Sequence, residues 1–173
     1  MNDAEAEITP LSRFSLRFYR QTGIADAAIT LQDACGIDVN LLLFLFWLAA
    51  EGRLLSAAEV KQLDGEISAW RDLAIVPLRG LRRELKAMPS RIGAAAQEAF
   101  RSKIKAAELE AERLEQDALY ALSQSGTLGA AAAPAAAARA NVVAYEEVMG
   151  VSFPKPTVAL LLTTFERFEE NGL

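Results

Sequence analysis

The stretch Asp38-Val39-Asn40-Leu41-Leu42-Leu43-Phe44-Leu45-Phe46-Trp47-Leu48-Ala49-Ala50 decides the fold. From Leu41 to Leu48 it contains no polar residue. A strand and a helix both accommodate a short apolar run, but leucine outnumbers β-branched residues here, and Ala49-Ala50-Glu51 continues with good helix formers. Asp38 stands where a carboxylate can accept the free N–H groups of a first helical turn. Gly52 supplies a stop. A helix that is apolar all round must be enclosed, so this segment is expected to be the central helix of a bundle. The apolar run, residues 41–50, is too short to cross a bilayer, which takes about 20 residues.

Helical spacing continues on both sides. Before the central helix, Pro10 opens a segment over residues 11–21, with Leu11, Phe14 and Phe18 in phase and Leu16 and Tyr19 beside them. A second follows over 24–34, with Ile24, Ala27, Ala28 and Leu31 on one face and Gly36 as its stop. After it, Ser56-Ala57-Ala58-Glu59 has the spacing of a capping box. A helix is expected from there over 57–75, then one over 77–88 after a break or kink at Pro77, with Leu78, Leu81 and Leu85 facing inward. Residues 90–123 read as one long helix. Its seam of Phe100, Ile104, Ala107, Ala111, Leu114, Ala118 and Ala121 steps by threes and fours and would suit bundle packing or a homo-oligomer.

The organisation read from these signals is a flexible acidic leader (1–9), a helical bundle (10–123), an Ala-rich linker (124–140) and a C-terminal helical segment (141–173). Gly126, Gly129 and Pro134 mark the linker. The last segment carries an apolar stripe of Val158, Leu161, Leu162, Phe165 and Phe168, which is expected to dock on the bundle or on a partner. The fold class is all-α, a compact bundle around a central apolar helix.

Composition narrows the chemistry. The 173 residues include no histidine and one cysteine, Cys35. Histidine-dependent catalysis, His-ligated metals and an internal disulfide are thereby excluded, and a reducing cytoplasm is the simplest setting. No metal or cofactor is expected, and no catalytic residue is assigned. The net charge of −5 disfavours nucleic acid as the main partner relative to a protein.

Two sets of residues stand out as candidate sites. Gln32, Asp33, Asp38 and Asn40 flank the tight corner before the central helix and form a possible polar pocket. The structural alternative is that Asp38 caps the helix, Asn40 satisfies backbone and Asp33 meets an arginine. Arg79, Arg82, Arg83 and Lys86 form a basic helix, and residues 71–105 hold nine cations against three acids. That set suits an anion or an acidic partner, unless it pairs internally with Glu108, Glu110, Glu112, Glu115 and Asp117. A third group, Glu51, Asp64, Glu66 and Asp72, lacks the one-face spacing of a Mg²⁺-diphosphate site.

Several of these motifs together carry a resemblance. Leu31-Gln32-Asp33-Ala34-Cys35-Gly36-Ile37-Asp38-Val39-Asn40-Leu41-Leu42-Leu43-Phe44 with Trp47, then Trp70-Arg71, Val76-Pro77-Leu78-Arg79-Gly80-Leu81-Arg82-Arg83-Glu84-Leu85-Lys86, Glu108-Leu109 and Glu115-Gln116 resemble the DUF2390 family of proteobacterial proteins of unknown function. The resemblance spans residues 14–122. It implies a bacterial cytosolic helical protein and no particular activity. The favoured expectation is a non-enzymatic adaptor or regulator that takes an anionic macromolecular partner, a protein before a nucleic acid, on the basic helix. The alternative is a small-molecule binder or metal-assisted enzyme using a carboxylate and arginine pocket near residues 32–40.

Overall fold

The computed structural model describes residues 8–87, 91–126 and 128–170. Along the chain run α1 (Pro10–Tyr19), α2 (Ile24–Cys35), α3 (Val39–Ala50), β1 (Arg53–Leu54), α4 (Ala57–Trp70), a π-helical turn (Arg71–Ile75), α5 (Val76–Ala87), α6 (Ala94–Gln124), β2 (Ala130–Ala131), α7 (Pro134–Met149) and α8 (Lys155–Glu170). The fold is all-α. Most of the proposed leader, the last residue of the helix expected over 77–88 and the end of the C-terminal segment lie outside the described residues.

α3 is the hub. Asp38 caps it, accepting from the amides of Asn40 at 2.7 Å and Leu41 at 3.1 Å. Every residue from Asn40 to Ala49 is buried. α7, α6, α1 and α2 surround it. At one end, Phe46 of α3 meets Phe18 of α1 at 5.2 Å between ring centroids and Phe165 of α8 at 5.3 Å. Such ring pairs contribute about 0.5–1.5 kcal/mol each beyond the area they bury. Phe165 and Phe168 of α8 are both buried, so the apolar stripe packs on the same chain. No described helix is long and apolar enough to cross a membrane.

Three local expectations need correction. First, α4 and α5 do not separate at Pro77. The helix widens into the π turn, where Val76 N–H donates to the Arg71 carbonyl, and continues. Proline lacks the amide and crowds the carbonyl four residues back, and the wider turn accommodates both demands. α5 buries none of its leucines fully, and Leu81 is exposed.

Second, the seam expected on α6 mostly faces outward. Phe100, Ala107, Leu114, Ala118 and Ala121 are exposed, and the inner line is Glu108, Ala111, Glu115 and Leu119. Arginines of α5 and the π turn lie against this helix, so its carboxylates turn inward to meet them.

Third, residues 134–140, read as part of a linker, are the first turns of α7, with Ala137 and Ala138 in the core. Pro134 occupies the first turn, where its missing amide costs nothing. Just upstream, β2 pairs antiparallel with β1, Arg53 opposite Ala131. Gly129 leads into that pairing at φ +71°, and a Cβ there would stand 2.7 Å from the Leu54 carbonyl oxygen.

Candidate functional site

A cleft of about 1240 Å³ opens between the α1–α2 side of the molecule and the rod made by the end of α4, the π turn and α5. Gln32, Asp33, Asp38 and Asn40 line it from α2 and the start of α3, and Arg79, Arg82 and Arg83 line it from α5. Residues read as two separate sites thus share one cavity. Lys86 lies exposed near the end of α5, outside this lining.

The rod places its cations in the cleft at successive levels. Arg71, in the π turn, bridges Asp38 at 3.3 Å and Asp64 at 2.7 Å. Burial pulls its pKa down, but the two carboxylates outweigh burial and hold it above the ordinary guanidinium value. About two helical turns further, Arg79 reaches Glu108 at 3.3 Å and Glu112 at 3.0 Å. Arg82 joins the same Glu108 through two contacts. At the mouth, Arg83 meets Asp33 at 3.1 Å, closing the cleft's two walls on each other. Burial raises the Glu108 carboxyl, yet Arg82 and Arg79 overcome that and keep it below the usual carboxylate range. Glu112 goes the other way: burial outweighs Arg79 and raises it.

The floor is built on Asn40, Glu115 and Tyr145. The Asn40 carboxamide donates to Glu115 Oε2 at 2.7 Å and accepts from Gln116 at 2.9 Å. Tyr145 of α7 accepts the Asp38 amide at 2.8 Å. Glu115 is 1% exposed. Among the described residues, its Oε1 has no hydrogen-bond partner of the ordinary donor–acceptor kind. Burial first, and then the charge of Asp38, push the Glu115 carboxyl up to about 8. Both influences favour the neutral form of the Glu115 carboxyl.

Sequence reading singled out Asp38 and Asn40 from their place at a helix corner. It gave Glu115 no role beyond charge balance and left Tyr145 out. The available signal was the spacing of Glu108, Glu112 and Glu115, four and three residues apart, which puts them on one helix face. Among the described residues, no group of Cys, Asp and Glu converges in a way that could hold a metal ion.

Residues 10–119, from the start of α1 to near the end of α6, match the family described as protein of unknown function, DUF2390. The chain belongs to the DUF2390 family. No curated protein and no solved structure matches it. The DUF2390 stretch contains both walls of the cleft and Glu115, whereas Tyr145, which completes the floor, lies on α7 beyond the matched residues.

Proposed function

We propose that this DUF2390 protein binds a small molecule in the cleft between its α1–α2 side and the α5–α6 hairpin. One observation carries the reading: polar residues from α2, α3, α5 and α6 converge on one cavity lined also by the buried Glu115, whose Oε1 has no hydrogen-bond partner among the described residues. Ligand sites are concave, run to about 300–1,000 Å³ and combine apolar walls with a few directed polar groups. This cleft is somewhat larger, and Ile37, Leu43 and Ile75 supply apolar wall beside the polar floor.

Native mass spectrometry of the protein as purified from its own cells tests the reading. A stoichiometric small-molecule adduct is expected. It should be lost when Val76, half-exposed on the cleft wall, is replaced by tryptophan to fill the space. An adduct that survives Val76→Trp, or none at all, contradicts the proposal.

The adaptor reading draws on a different surface. Arg79 and Arg82 are committed to Glu108 and Glu112, so an anionic partner would draw on the exposed Lys86 and on Arg83, whose pair with Asp33 lies at the surface. Leu73 is 79% exposed on the same rod, and Leu81 is exposed beside them. Lys86→Glu separates the two readings: it should abolish a macromolecular contact and leave the small-molecule adduct untouched. Association of two copies through the exposed Phe100 and Leu114 of α6 is compatible with either.

A further inference from the structure

We propose that the outer part of the cleft binds an anionic amphiphile, a carboxylate or phosphate head on an alkyl body, with the head between Arg20 and Lys105 and the body along Leu16 and Leu109. The proposal rests on the cleft being a binding site and adds the chemical class of its ligand.

The acids that line the cleft are already matched. Each is paired with an arginine, except Glu115, which is enclosed and takes an N–H from Asn40. The accessible groups left over are donors. Tyr19, Arg20, Gln32 and Lys105 are exposed in whole or in part, and among the described residues none of their side chains has a hydrogen bond or an ion pair. Arg20 and Lys105 are cations, and Tyr19 and Gln32 can each donate to an anion. A cationic ligand would meet charges of its own sign there. A neutral one would strip water from two cations and return nothing to them. An anion supplies the missing acceptor.

Apolar residues stand one helical turn from the two cations. On α1, Leu16 lies four residues before Arg20; on α6, Leu109 lies four residues after Lys105, so each pair shares a helix face. Leu16 is 51% exposed and Leu109 55%, and both line the cleft. The two helices run in opposite directions. Ser12 bonds Gln116 at 3.2 Å, and further along α1 Tyr19 comes within electrostatic reach of Glu112 and Arg79. A step from Leu16 to Arg20 therefore points the same way as a step from Leu109 to Lys105. Both walls carry an apolar level and a cationic level in the same order, about 6 Å apart along the axes. An amphiphile has that order. Ile29 of α2 and Val76 of α5, half-exposed in the same lining, extend the surface for its body.

The test is isothermal titration calorimetry on the full chain at pH 7 with sodium octanoate and octyl phosphate, and with octanol and octylammonium chloride as controls. Saturable binding of at least one of the two anions is expected, tighter than either control and weakened by added salt. Binding of octanoate alone identifies a carboxylate head, of octyl phosphate alone a phosphate head, and of both a site for any compact anion. Arg20→Glu and Lys105→Glu, at exposed positions, should each weaken the anion at least about tenfold, the loss of one charge-assisted contact. Val76→Trp should abolish binding.

No saturable heat from either anion overturns the proposal. So does octanol or octylammonium binding as tightly as the anions, or undiminished binding by folded Arg20→Glu and Lys105→Glu. If the charge reversals do not fold, the ranking of the four ligands on the unmodified chain still decides. Anion binding that survives Val76→Trp would place the ligand outside the cleft and overturn the proposal. A cationic or neutral adduct of the purified protein that disappears in Val76→Trp would overturn the anion and leave the cleft reading standing.

Discussion

Glu115 concentrates the physics of the site in one side chain. Its carboxyl is raised to about 8, from the ordinary 4.5, by burial and by Asp38. The folded state therefore holds a proton that the unfolded chain gives up near pH 4.5. The stabilisation is complete below the unfolded value and is lost as pH climbs through the folded one. Chemical denaturation between pH 5 and pH 8 should show stability falling by up to about 1.4 kcal/mol per pH unit from this group. In Glu115→Gln that slope should disappear; an unchanged slope would show that Glu115 is not the group titrating. Asn141 makes a second prediction at this scale. It accepts the Leu55 amide at 2.7 Å and donates to the Leu45 and Arg53 carbonyls, each at 3.1 Å. Asn141→Ala strands these groups in the core and should cost about 2–4 kcal/mol by urea denaturation. Sequence reading found Asp38 because capping is a local rule. It could not find Asn141 or the burial of Glu115, because both depend on partners many tens of residues away.

Among the elements, the rod of α4, the π turn and α5 determines the shape of the cleft, and Arg71 fixes it in place. Arg71→Met removes the one guanidinium that joins Asp38 on α3 to Asp64 on α4. It should cost about 2–4 kcal/mol, the lower part of the range reflecting partial solvent contact at Arg71. Thermal unfolding checks this, and a change of less than ~0.5 kcal/mol would mean the bridge is incidental. The helices themselves were legible from spacing, caps and prolines. Their faces were less so where charge replaced hydrophobicity: the apolar spacing on α6 pointed outward because the inner face is ionic. The alanines of residues 134–140 misled in the opposite way. Low complexity was read as a linker, although alanine is the strongest helix former and fits where α7 approaches α3 and α4 closely.

Across the whole molecule, the C-terminal helices complete both the core and the site. α8 puts Phe165 against Phe18 and Phe46, and α7 brings Tyr145 to the floor of the cleft. Phe165→Ala should destabilise the protein by about 3–5 kcal/mol through the cavity it leaves, a loss that calorimetric melting would register as a large fall in Tm. The enclosed central helix and the all-α class were readable in the apolar run alone. The joining of the Gln32–Asn40 corner and the α5 arginines into one cleft was not, because periodicity orients each helix without stating which neighbour it faces. The most direct test of the cleft as the working site is amide shift mapping on the isotopically labelled, ligand-stripped chain, to which the small molecules extracted from the purified protein are returned. Shifts centred on Asn40, Arg79 and Glu115 are the expected result. Shifts confined to Leu73, Leu81 and Lys86, or none at all, would contradict it.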